Sequence, residues 1–322
     1  MINNLQLLRA FAAINVVYLH VLVGGESYGK PSIVFPYVGG WGANGVDIFF
    51  VISGFVMIYT HAINPKTILN FYKSRILRIV PVYWLITSFI ITIYIISPNI
   101  FRFLMIDIKS SVSSFLFISQ LINSSNPIIN LGWTLEWEML FYLIFGIALY
   151  FKTLNKIVIF IFIMMIFILF LSHKLYFLEF FLGVIAGYAY IKFKKINHNI
   201  GIFILVLGIL ILLMSISPNS KLIDYDRFII WGLPATLIVI GAVYCKQIKN
   251  KTLLYLGDAS YSIYLLQILT IPGFYKIIIF LNLDINNTFL SFICLILSIM
   301  FGCLFYSYVE KKIKLVKNRN YT

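Results

Sequence analysis

Apolar positions along this chain do not alternate with polar ones; they run on. Apolar stretches of spanning length fall at about 5–23, 44–62, 76–97, 131–151, 155–172, 175–191, 200–217, 228–245, 253–272 and 288–309. A membrane-crossing helix needs about 20 such residues. Backbone in hydrocarbon must satisfy its own hydrogen bonds, so these runs predict helices and not open strands. The predicted fold is all-α: a polytopic membrane helix bundle of about ten transmembrane helices. SSVSSFLFISQLI at 110–122 is short for a span and reads as an interfacial or re-entrant helix in the longest loop, 98–130; loops of that length often carry function. The first run resembles a signal peptide, but Arg9 interrupts it and no convincing cleavage site follows. It reads as an uncleaved first span.

Composition agrees. The chain is 61% hydrophobic and 11% charged, against about 25% charged in a typical soluble domain. The net charge of +14 would by itself suggest nucleic acid. The basic residues, however, sit in short loops between apolar runs. Lys66, Lys73, Arg75, Arg78, Lys152, Lys156, Lys192, Lys194, Lys195, Lys246, Lys249, Lys251 and the basic tail from Lys311 fall on one set of alternate loops. The other set holds fewer: Lys30, Arg102, Lys109, Lys174, Lys221, Arg227 and Lys276. By the positive-inside rule both termini are predicted to be cytoplasmic. Membrane lipids are the expected surroundings, with no nucleic-acid partner. Cys245, Cys294 and Cys303 lie inside apolar runs and form no disulfide framework. The four histidines make no zinc motif, and no metal is expected. Residues 1–322 read as one domain.

Polar residues inside spans are costly and by default functional. RAFAAINVVYLH places Arg9 and His20 eleven residues apart, within roughly 20° of one helix face and about 16 Å along the axis. Either the pair faces the bundle interior, or Arg9 snorkels and His20 sits in an outer water layer. Asp47 opens the second run, as a helix-dipole acid or as a partner for a cation. Arg75 and Arg78 share a face; they serve either as inside-facing anchors or as an anion clamp. Glu136 and Glu138 flank Trp137 and point to roughly opposite faces, and Glu138 shares a face with Tyr142. The neighbouring aromatics read first as an interfacial belt. LGDASYSIYLLQ concentrates Asp258, Ser260, Tyr261, Ser262, Tyr264 and Gln267 in one helix, which must face protein or water, and Pro272 suggests a kink or break after it. Glu179 has no evident role beyond an interior pairing.

Taken together, these stretches resemble the acyltransferase 3 family of integral membrane acyltransferases over nearly the whole chain. LQLLRAFAAINVVYLH matches its arginine–ten residues–histidine signature. GVDIFFVISGFVM, SRILRIVPVYW, WTLEWEMLFYL and LGDASYSIYLLQ match further motifs in order. The resemblance implies O-acyl transfer, most often of acetyl, from cytoplasmic acyl-CoA (acetyl-CoA) to a sugar hydroxyl of a bacterial surface polysaccharide or its lipid-linked precursor. The opening motifs look most like the exopolysaccharide and O-antigen branch, which implies the bacterial inner membrane. It implies that His20 is the essential histidine and that Arg9, Arg75 and Arg78 bind CoA. Glu138, with Asp47 second, is then the expected carboxylate partner of His20, and Trp133, Tyr142, Ser260 and Tyr261 are candidate substrate contacts. Many members carry histidine where this chain has Gln267, so that position is not assigned a base. The rival readings are a polysaccharide flippase or small-molecule transporter, and a non-catalytic membrane scaffold.

Overall fold

A computed structural model describes residues 2–32, 40–101, 105–123, 126–193, 197–216 and 227–313. Arg102, Lys194, Lys195, Lys221 and the basic residues after 313 lie outside them. Among the described residues the chain is helical and contains no strand. The helices are α1 (Asn3–Ser27), α2 (Asn44–Ile63), α3 (Ile68–Ile96), α4 (Ile108–Phe115), α5 (Ser119–Asn123) and α6 (Gly132–Ala148). They continue with α7 (Leu154–Ser172), α8 (Leu178–Lys192), α9 (His198–Met214), α10 (Leu233–Tyr244), α11 (Lys251–Phe280) and α12 (Asn287–Phe305). A π-helical turn, Phe228–Gly232, leads into α10, and a second, Tyr306–Glu310, follows α12.

Among the described residues, eight helices are long and apolar enough to cross a membrane. Two shorter apolar ones, His198–Met214 and Phe228–Tyr244, pack side by side. The chain is a multi-pass membrane protein. α1 sits inside the bundle, packed along α11 and also against α2 and α12. α7 and α9 bury few of their residues and form the apolar periphery.

Polar caps set several helix starts. Thr67, Asn250 and Asn286 accept backbone N–H groups at the heads of α3, α11 and α12. Asp107 and Ser110 form a reciprocal capping box on α4.

Three expectations change. The stretch 110–122 is not one helix: the chain turns between α4 and α5 at Phe117, whose φ is 60° and whose ring lies against Tyr83. α3 begins at Ile68, ahead of the apolar run 76–97, so Lys73 and Arg75 also lie within the helix, on which Arg75 and Arg78 share a face as expected. Pro272 neither ends nor breaks α11, which continues to Phe280. A proline removes a single backbone bond, and neighbouring helices accommodate that loss inside a membrane bundle.

α2 and α8 cross with their backbones in contact. A Cβ on Gly54 would strike the carbonyl of Phe180, and one on Gly183 would strike the carbonyl of Val51. Small residues allow this approach. A Gly183→Val substitution has only backbone to push against. It should destabilise the protein by more than the about 1–3 kcal/mol typical of overpacking. The check is thermal unfolding in detergent; an unchanged midpoint would contradict the contact.

Candidate active-site cavity

An elongated cavity of about 470 Å³ runs through the bundle, walled by α1, α2, α3, α6 and α11. That volume suits a small-molecule ligand. Along α2 it extends from Val46 to Asn64, eighteen residues or about 27 Å. One mouth carries His61, Asn64 and Lys66, at the end of the bundle where α1 begins. The walls are largely apolar, with Phe49, Phe50, Ile52, Val56 and Leu135 among them.

Arg9, Arg75 and Arg78 come from two different helices to line this one space. None of the three stands within 4.0 Å of a carboxylate among the described residues. Arg9 donates from Nη1 to the Gln6 side-chain oxygen at 3.3 Å, and Gln6 donates in turn to Asp258 at 2.8 Å. Arg75 stacks between the rings of Phe71 and Tyr142, at 5.7 and 5.8 Å. Arg78 lies in the field of Tyr142, Glu138, Glu310 and Tyr261. Glu138 also lines the cavity, and its Oε1 accepts from Ser53 Oγ at 2.6 Å and from the Tyr142 hydroxyl at 2.5 Å. Buried Glu310 accepts from Ser262 behind the wall. The carboxylates soften mutual repulsion among the guanidinium groups and leave their donors available. Such a group of arginines is suited to phosphate oxygens.

Helix register fixes depth. Gly42 rests on Leu19 and Asn15, and Gly45 rests on Ala12 and Val16. Val46, at the inner limit of the cavity on α2, is therefore level with the Ala12–Val16 turn. Tyr264 and Thr134 line the same end, with their hydroxyls 2.9 Å apart. His20 stands one turn past Val16, about 6 Å further on, and is not among the lining residues. Its Nδ1 lies 2.8 Å from the Val16 carbonyl. A carbonyl only accepts, so Nδ1 carries the hydrogen and Nε2 keeps its lone pair.

Six of the ten residues singled out in the sequence therefore share the cavity: Arg9, Arg75, Arg78, Glu138, Tyr142 and Tyr261. Four do not. His20 lies beyond its end. Ser260 is fully buried, and its hydroxyl has no partner among the described residues. The structure does not pair His20 with either expected carboxylate. Glu138 is held by Ser53 and Tyr142 beside the arginines, and the backbone orients His20 instead. Asp47 receives Arg227 on both oxygens, at 3.0 and 2.8 Å. Asp47 is thus the interior partner of a cation. Arg227 also lies against Trp133, Tyr176 and Trp231, at 5.6, 5.9 and 5.3 Å. Trp133 is accordingly spent on a cation and not presented as a belt residue. Buried Glu179 adjoins Asp47 and Arg227, pressed against Gly232.

Sequence reasoning missed Arg227, which was counted among the loop residues although its side chain is only 15% exposed. It also missed Glu310 and Ser53. Each had a faint signal: an arginine leading straight into FIIWG, an acid one residue before a basic run, and a hydroxyl within an apolar helix. Among the described residues no cluster of three or more His, Cys, Asp or Glu residues could hold a metal ion.

Comparison with known proteins bears on the family. Over 112 residues the chain is 38% identical to the exopolysaccharide production protein ExoZ of Rhizobium meliloti (strain 1021). That match covers about a third of each, 34% of this chain and 35% of the relative. No solved structure matches the chain. The family model for the acyltransferase domain of acyltransferase 3 matches residues 2–308, nearly the whole length. A charged cavity inside a multi-pass bundle thus meets a family match over nearly the whole length, and the chain belongs to the acyltransferase 3 family.

Proposed function

We propose that this membrane acyltransferase takes an acyl group, most often acetyl, from acyl-CoA on the cytoplasmic side and transfers it to a sugar hydroxyl of a surface exopolysaccharide or its lipid-linked precursor. The bacterial inner membrane is the proposed location, with both termini in the cytoplasm. The observation that carries the reading is the convergence of Arg9, Arg75 and Arg78 on one long cavity whose mouth lies at the basic end of the bundle. The acceptor class is supported by the printed name of the exopolysaccharide relative. Family membership favours transfer over the flippase and scaffold readings.

Length supports it further. The pantetheine arm of CoA is about four peptide repeats long, which is about 15 Å when extended. Arg9 and His20 are eleven residues apart on one helix, about 16 Å. A donor whose phosphates rest on the guanidinium groups therefore brings its thioester toward His20. In this scheme His20 Nε2 takes the proton of the acceptor hydroxyl as the oxygen attacks the thioester carbonyl. The C–S bond breaks, and the departing CoA thiolate recovers the proton from the imidazolium. The Val16 carbonyl, holding Nδ1–H, steadies the ring in both charge states. Ser53 and Tyr142 hold Glu138 so that it balances the arginines without occupying them.

Two outcomes test this. With radiolabelled acetyl-CoA as donor, His20→Ala should lower glycan labelling by about 10²- to 10⁴-fold, the scale of a lost general base. Equal labelling in both proteins would remove His20 from the chemistry. Arg78→Gln should raise the apparent KM for acetyl-CoA by about ten- to a hundredfold, the scale of a lost charge-assisted hydrogen bond. An unchanged donor KM would contradict the placement of the phosphates.

A further inference from the structure

α11 runs parallel to α1. Gly257 rests on Gln6 near one end of the pair, and Ile271 and Tyr275 rest on Gly24 near the other. Positions 257, 260, 264, 267 and 271 recur at helical spacing and form one stripe, of which Gly257 and Ile271 touch α1. Gln267 lies on that stripe, three residues or about 4.5 Å beyond Tyr264, which lines the inner end of the cavity. His20, on the facing helix, is one turn beyond the same end. The two side chains therefore belong to one thin layer, between the end of the donor cavity and the far face of the bundle.

Gln267 is 1% exposed. Its Nε2 donates to the Tyr264 carbonyl at 2.8 Å. That bond settles which way the amide faces, since two carbonyl oxygens repel. The other atom, Oε1, has no hydrogen-bond partner among the described residues. A buried amide oxygen left unpaired weakens a fold, and an apolar side chain of similar size removes the penalty. For the resting protein alone, leucine or methionine would serve better here.

We propose that Gln267 is a specificity-determining contact for the acceptor: its Oε1 accepts a hydrogen bond from a sugar hydroxyl neighbouring the one that His20 deprotonates. The inference rests on the transferase reading above and adds a named contact to its acceptor side. A sugar supplies adjacent hydroxyl donors of the kind Oε1 requires. One of them held by Gln267 selects which neighbouring hydroxyl meets Nε2.

The test uses the full-length protein in lipid nanodiscs, radiolabelled acetyl-CoA as donor, and de-esterified exopolysaccharide from a strain lacking this gene as acceptor. Gln267→Leu and Gln267→Met are compared with wild type. Both should melt at the same temperature or higher and keep the donor KM. Both should raise the acceptor KM by about tenfold, the scale of one neutral hydrogen bond. An unchanged acceptor KM would overturn the proposal. So would a raised donor KM, which would assign Oε1 to an amide N–H of the CoA arm. A lower melting temperature in both variants would also count against it, because the fold itself would then be using the amide. Failure of the wild type to transfer any label would sink the transferase reading, and this contact with it.

Discussion

Burying three guanidinium groups inside a membrane bundle is the constraint from which the rest follows. An unpaired cation in hydrocarbon is strongly unfavourable, and arginine does not relieve this by losing its proton. The bundle answers with partial compensation. Glu138 stands among the arginines, tied to Ser53 and Tyr142, while Glu310 stands behind them, tied to Ser262. Gln6 relays Arg9 to Asp258. No carboxylate closes into a tight ion pair with them among the described residues. The guanidinium donors stay poised toward a space that an anion can fill.

The other buried charge cluster contrasts with this one. Arg227 and Asp47 pair through two hydrogen bonds, and aromatic rings pack around the guanidinium. There the cation is satisfied internally. That pair ties the start of α2 to the segment leading into α10, while the Gly54–Gly183 crossing ties α2 to α8. α2 in turn supplies one whole wall of the cavity, including Ser53. One cluster is closed and fixes a helix; the other is open and offers charge.

Much of this was legible in the sequence. The apolar runs gave the helices, because hydrocarbon leaves the backbone few choices. Arg9, Arg75, Arg78, Glu138, Tyr142 and Tyr261 could be singled out because each interrupts an apolar face. What the sequence could not give was pairing across helices. Asp47 read first as a dipole acid, since its cation lies 180 residues away in sequence. Glu138 looked like a partner for His20 because relative depth depends on helix register, which glycine contacts set. The turn at Phe117 and the continuity of α11 through Pro272 depend on tertiary packing in the same way.

The proposed transfer requires the arginine-lined cavity to hold the anionic end of an acyl donor while its arm extends toward His20. The most direct measurement is an electron cryomicroscopy map of the protein in nanodiscs with a non-cleavable thioether analogue of acetyl-CoA. Phosphate density is expected against Arg9, Arg75 and Arg78, with the sulfur on the His20 side of Tyr264. Phosphate density elsewhere, or an analogue lying with its sulfur toward Lys66, would contradict it.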